Sequence, residues 1–184
     1  MNKYNLLVVL FVLVAACKTP EARRPVSQSS GSYVDLSIER NKKMNKAQED
    51  AIKRIMENHP ENEYFTSDKG FWYYYNIKDT SDLIKPRTGD LVTFSYEINS
   101  LDGEPIVSKE ELGEQTYQIE QSNQDLISGL KDGLKLMQEG EVVTFLFPSH
   151  KAFGYYGFED IIGSNLPIQT KVYLTQVQRN NTEN

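Results

Sequence analysis

The chain has 184 residues, 39% hydrophobic and 11% aromatic, which is enough apolar material for one ordinary domain with tails. Its formal charge is −6 and no run of Lys or Arg is long, which argues against nucleic acid as a partner. The single cysteine rules out an intrachain disulfide, and no Cys or His cluster has metal-ligand spacing.

Lys3 precedes Leu6–Ala16 (LLVVLFVLVAA), an apolar run shorter than the ~20 residues of a membrane span and matched to the h-region of a signal peptide. Ala15 and Ala16 lead straight into Cys17, and Val14-Ala15-Ala16-Cys17 resembles the lipobox of bacterial lipoproteins. That resemblance implies a signal peptide over residues 1–16 and a lipidated Cys17 as the mature N-terminus. Several acyl chains, at ~0.8 kcal/mol per buried CH₂, would hold the chain on a membrane without spanning it. The implied location is the cell envelope. Lys18 is not a retention signal of the aspartate kind, which favours the outer membrane, facing the periplasm. Residues 17–37 are rich in Pro, Ser, Gly and charge and have no period, so they read as a disordered tether with an r.m.s. reach of ~25 Å.

Residues 38–60 are rich in helix formers, with Met44, Ala51, Ile52 and Ile55 as a narrow apolar stripe and Pro60 as the stop. Such a stripe either docks the helix on its own domain or serves as a homodimerisation arm. From Gly70 the pattern turns strand-like. Phe71–Ile77 is dense in β-formers, and Val92, Phe94, Tyr96 and Ile98 alternate with polar residues. Ser100–Pro105 is a turn and Tyr117–Ile119 a short strand. Asp125–Gln138 is helical, with Ile127, Leu130, Leu134 and Met137 on one face. Glu141–Phe147 and Ile168–Val177 are strands separated by a glycine-containing loop. This order predicts an α+β fold, an antiparallel sheet with a helix against one face.

Three strings carry a more specific signal: GDLVTFSYEINSLDGEPI, QDLISGLKDGLKLMQEGE and the segment Pro148–Gly154 (PSHKAFG) with Ile161-Ile162 beyond it. In this order and spacing they resemble the FK506-binding-protein-type peptidyl-prolyl isomerase domain, over residues 68–179. Together with lipobox and tether, the chain looks closest to the gliding-motility-associated lipoproteins of Bacteroidetes. The resemblance implies a half-barrel of antiparallel strands around one helix, an activity needing no cofactor or metal, and proline-containing envelope proteins or peptides as partners. The alternative is a weakly active or inactive binding or scaffold lipoprotein of an envelope complex.

Carried over by motif position, Tyr96, Ile127 and Phe153 would be the catalytic set, with the Ile127 N–H as donor to the substrate carbonyl. Ile106, Tyr117, Leu126, Leu130, Phe158, Ile161 and Ile162 would surround the substrate. Simple core packing is the competing role for each aromatic. Five positions depart from the family pattern. Ile106-Val107 replaces an aromatic-acidic pair, Leu130 a tryptophan, Phe153 a tyrosine, and Thr170 an aromatic of the last strand. His59 and His150 have no catalytic partner in the sequence and read as solvated loop residues, as does the acidic group Glu110, Glu111 and Glu114.

Overall fold

The computed structural model describes residues 31–79, 85–121 and 126–180. The signal peptide, Cys17, the tether up to residue 30 and Asp125 lie outside the described residues. The chain divides into two units, Met1–Ser37 and Ile38–Asn184. Helix α1 covers Gly31–Asn58, so it starts well before Ile38. Gly31–Ser37, expected to belong to the tether, is helical, and the Ser37 hydroxyl donates to the Tyr33 carbonyl at 2.8 Å. Extending an existing helix gains a hydrogen bond per residue, whereas starting one is costly, and no proline interrupts the chain between Pro25 and Pro60. At the other end α1 stops at Asn58, because a residue before proline is disfavoured in the helical region.

The second unit is one antiparallel sheet with helices. In chain order it contains β1 (Phe65–Thr66), β2 (Trp72–Ile77), β3 (Leu91–Asn99), β4 (Pro105–Val107), helix α2 (Lys109–Leu112), β5 (Gln115–Gln118), helix α3 (Ser128–Leu134), β6 (Val142–Phe147) and β7 (Ile168–Gln178). The strand order is β1-β2-β6-β7-β3-β4, with β5 pairing the first half of β3. Breaks in register between Thr93 and Phe94, and between Tyr75 and Ile77, mark bulges that increase local twist. Helix α2 has a capping box in which Ser108 and Glu111 satisfy each other's orphan backbone donors. Glu110, Glu111 and Glu114 are exposed, as expected of a solvated face.

All six residues of β6 are buried, because this strand is covered on both faces. On its inner face Val143, Phe145 and Phe147 join Phe71, Val92, Phe94, Ile98, Leu130, Leu134 and Met137 in the main core. On its outer face Leu146 packs with Trp72 and with Ile52 of α1. The apolar stripe of α1 is therefore used, at Ile52, for docking on its own sheet. The alternation expected in β3 is present, with Val92, Phe94 and Ile98 fully buried.

Helix α3 is shorter than the expected Asp125–Gln138. Beyond Leu134 the chain tightens, the Leu136 N–H bonding to the Gly133 carbonyl at 2.9 Å and the Met137 N–H to the Leu134 carbonyl at 3.3 Å. Met137 reaches the core through this turn, so the apolar spacing is satisfied without a full helix. Two glycines fix how closely α3 approaches the sheet. A Cβ at Gly129 would lie 2.5 Å from the Phe147 ring and 2.8 Å from the Lys151 carbonyl oxygen, and one at Gly133 would lie 2.9 Å from the Phe145 ring. Bare backbone is the only surface that fits there.

Candidate active site

Where α3 begins, the close approach leaves a cavity of about 410 Å³ lined by Leu126, Ile127, Ala152, Phe153 and Phe158. Every lining side chain is apolar. Ile127 precedes the helix in an extended conformation (φ −58°, ψ 144°), and its carbonyl accepts from the Lys131 N–H at 3.1 Å. Among the described residues no acceptor takes the Ile127 N–H, so the cavity has an unclaimed backbone donor in its lining.

The opposite wall follows β6. Pro148 opens a 3₁₀ turn over Ser149–Lys151, with the Lys151 and Ala152 N–H groups bonded to the Pro148 carbonyl at 2.9 and 3.2 Å. The turn delivers Ala152 and Phe153 to the cavity. Phe158 meets Phe153 with ring centroids 5.0 Å apart, and is itself held by a two-bond bridge with Ile162 (2.9 and 3.0 Å). The two walls are also stapled. Lys151 Nζ lies 3.5 Å from Asp132 of α3, and Asp132 lies 3.3 Å from Lys135, which continues to Glu120 at 3.1 Å.

Four of the residues expected at the site thus share the cavity lining: Leu126, Ile127, Phe153 and Phe158. Tyr96 and Ile106 are half-buried and pack on the adjoining core, Tyr96 stacked on Phe94 at 5.8 Å. Burial pushes the Tyr96 phenol pKa up, so it is a neutral hydroxyl at ordinary pH. Among the described residues no side chain accepts from that hydroxyl, and burial alone sets the direction of its shift. Tyr117 (3% exposed) and Leu130 lie within the core beneath the cavity, outside its lining. Ile162 is buried and bridged to Phe158, whereas Ile161 is half exposed, and neither is among the residues lining this cavity. In a two-residue link of this kind only one neighbour can point inward. Ala152 was not singled out from the sequence, although its place beside Phe153 was the available signal. His59 sits exposed against Glu61 at 3.1 Å and His150 is exposed on the 3₁₀ turn, both far from any catalytic arrangement in their hydrogen bonding.

Among the described residues the lining holds no nucleophilic or basic side chain. What it offers is a hollow of ligand size lined by apolar side chains, with the Ile127 N–H among its backbone donors. Such a hollow suits reactions whose transition state is less polar than the ground state.

Comparison with known proteins agrees. A sequence profile described as FKBP-type peptidyl-prolyl cis-trans isomerase matches residues 83–175, half of the chain. A probable FKBP-type peptidyl-prolyl cis-trans isomerase FkpA of Neisseria meningitidis serogroup B is 32% identical over 104 residues. That match covers 56% of this chain but only 37% of the relative, so the chain accounts for little more than a third of its length. In fold the chain is similar to crystalline FkpA from Escherichia coli (TM-score 0.56, 19% identity, covering 97% of this chain and 83% of the other). It is equally similar to a peptidyl-prolyl cis-trans isomerase from Pseudomonas syringae pv. tomato (TM-score 0.56, 21% identity, 73% and 96%). With its profile match running from ahead of β3 into β7, the chain belongs to the FKBP-type peptidyl-prolyl cis-trans isomerase family.

Proposed function

We propose that this chain catalyses cis–trans isomerisation of X–Pro bonds in proteins of the bacterial envelope. The observation carrying the proposal is the apolar cavity of Leu126, Ile127, Ala152, Phe153 and Phe158. An X–Pro amide resists rotation because of its partial double-bond character, with a barrier of ~18–20 kcal/mol and relaxation over tens to hundreds of seconds. The planar amide is more polar than the twisted one, so a water-poor pocket disfavours the ground state relative to the transition state. Phe153 and Phe158 would grip the prolyl ring while the Ile127 N–H holds the substrate carbonyl, leaving rotation as the remaining freedom. Tyr96, Ile106, Tyr117, Leu130 and Ile162 would act from behind by fixing the lining in place. Each ~1.4 kcal/mol removed from the barrier is a tenfold gain in rate.

The lipobox-like segment ending in Cys17 supports attachment to the envelope by lipid, with the outer membrane facing the periplasm as the site. The same combination supports a place among the gliding-motility-associated lipoproteins, whose clients would be proline-containing proteins of the envelope or gliding machinery. Pairing of two copies through the 38–60 helix would have to use residues other than the docked Ile52; Ile38 is exposed. A second reading, a docking or scaffold module with poor turnover, is favoured by Val107 and Phe153, which lack the carboxylate and hydroxyl common in the family.

The mature chain should accelerate isomerisation of a short X–Pro peptide over buffer, and Phe153→Ala or Tyr96→Ala should cut that acceleration at least tenfold. Binding of the peptide without acceleration would replace catalysis by docking. Release of a Cys17→Ser variant into the soluble envelope fraction is the expected result for lipid attachment; unchanged membrane retention would refute it.

A further inference from the structure

We infer that Gln48 of α1 is a positioning residue for the cavity, holding its closing loop from outside the isomerase fold. Gln48 is only 9% exposed, and both ends of its amide are used. Its Oε1 accepts from the Ser149 N–H at 2.9 Å, and its Nε2 donates to the Asn165 carbonyl at 2.8 Å. Ser149 and Asn165 are the two ends of the loop that carries Phe153, Phe158 and Ile162. The ends are also joined through Gly154. The Gly154 N–H donates to the Ser149 carbonyl at 2.8 Å and the Asn165 N–H donates to the Gly154 carbonyl at 2.7 Å.

The four bonds form a closed ring, Gln48 to Ser149 to Gly154 to Asn165 and back. Phe153 leaves this ring immediately before Gly154, and Phe158 hangs from the part beyond it. Asn165, at one end of the loop, has φ +56°, a region that costs a non-glycine residue and that its two bonds help maintain, whereas Gly154 takes φ +60° freely. A buried amide that lost either partner would leave an unpaired polar group, which gives the ring a strong preference for being complete. Helix α1 is in turn seated on β2 and β6 through Ile52, one turn further along. The helix therefore works as a strut: its apolar side grips the sheet and its glutamine grips the loop.

This inference rests on the isomerase reading, and the test separates the two. Gln48→Met keeps the length of the side chain and removes both hydrogen bonds. Ile52→Ala is the companion variant: it loosens the seat of α1 but leaves the Gln48 amide able to make both bonds. Amide hydrogen exchange is read on the free full-length mature chain, and kcat and KM on an X–Pro peptide. Gln48→Met should accelerate exchange at the Gly154 and Asn165 amides at least tenfold while leaving the amides of β6 unchanged. It should raise KM severalfold with a smaller effect on kcat, because the loop's position governs capture of the prolyl ring. Ile52→Ala should lower thermal stability with a smaller rise in KM than Gln48→Met. Unchanged loop exchange in Gln48→Met, unchanged KM, or an equal rise in KM from Ile52→Ala would each overturn the role given to Gln48. A wild-type chain without turnover sinks the isomerase reading instead, and the exchange experiment still reports on the strut.

Discussion

A Cβ placed on Gly157 would lie 2.2 Å from the carbonyl oxygen of Ile162, well inside any permitted contact. Gly157 also has φ +70°, where side chains are strained. The Ile162 carbonyl is the acceptor that holds the Phe158 N–H, so relief of the clash must open the Phe158–Ile162 bridge. Phe158 would then leave its contact with Phe153. Gly157→Ala should therefore lower kcat/KM on an X–Pro peptide at least tenfold, about 1.4 kcal/mol of transition-state binding. Wild-type turnover in this variant would show that the bridge does not shape the cavity.

Gly129→Ala sets two effects against each other. Helix propensity favours alanine over glycine by ~1 kcal/mol. Against that, the new methyl would meet the Phe147 ring at 2.5 Å and the Lys151 backbone oxygen at 2.8 Å. Phe147 is fully buried and stacked on Phe145 at 5.5 Å with the rings nearly parallel, so it has no empty space to move into. Overpacking of this kind costs ~1–3 kcal/mol, and it should win. The measurement is the urea midpoint of the variant, expected below wild type. A higher midpoint would mean that α3 can back away from the sheet at no cost.

Much of this arrangement could be read from the residues before any coordinates. The period-2 pattern of Val92, Phe94 and Ile98 is set by local spacing, whereas Ile127, Phe153 and Phe158 are legible only through the resemblance of their motifs to the family. Spacing says less about what covers the second face of a strand. The burial of β6 on both faces involves α1 lying behind Leu146, a contact between residues 52 and 146 that no local pattern encodes. Gln48 escaped notice for a related reason. On a helix examined for its apolar stripe, a buried polar residue looks like a solvated one until its two backbone partners, about a hundred residues away, are brought to it. Ile161 and Ile162 differ in burial, 50% against 2% exposed, a distinction that motif position alone does not make.

Asp90 ties the start of β3 to the end of β7. Burial alone would raise its pKa, but the N–H groups of Arg87 (2.9 Å) and Asn180 (3.2 Å), with the Arg179 guanidinium, outweigh it and hold the carboxyl below the ordinary aspartate range. The unfolded chain, with the higher pKa, takes up the proton first. The stabilisation is therefore complete above the unfolded value of about 4 and is lost as pH falls from there through the folded pKa. Asp90→Asn should cost ~1–3 kcal/mol at pH 7 by breaking charge-assisted bonds in a buried setting. It should also flatten the decline in stability between about pH 5 and pH 3. Urea midpoints at pH 7, 5 and 3 measure both; parallel curves for the two proteins would mean that Asp90 does not carry this acid sensitivity.

Thr170 presents the opposite case, a polar group whose removal should help. It is fully buried on β7, on the same face as Ile168 and Val172, and is paired across the sheet with Ile98 and Phe145. Its hydroxyl has no hydrogen-bond partner among the described residues. An unpaired buried hydroxyl costs ~1–3 kcal/mol relative to water, whereas a methyl in the same place costs nothing and adds apolar contact. Valine has nearly the same shape and a stronger preference for strands. Thr170→Val should raise stability by about 1 kcal/mol, seen in thermal unfolding as a rise of roughly 2–4 °C for a chain of this size. If the variant is instead less stable, the hydroxyl has a partner in solution, and an ordered water inside the core would be the group to look for.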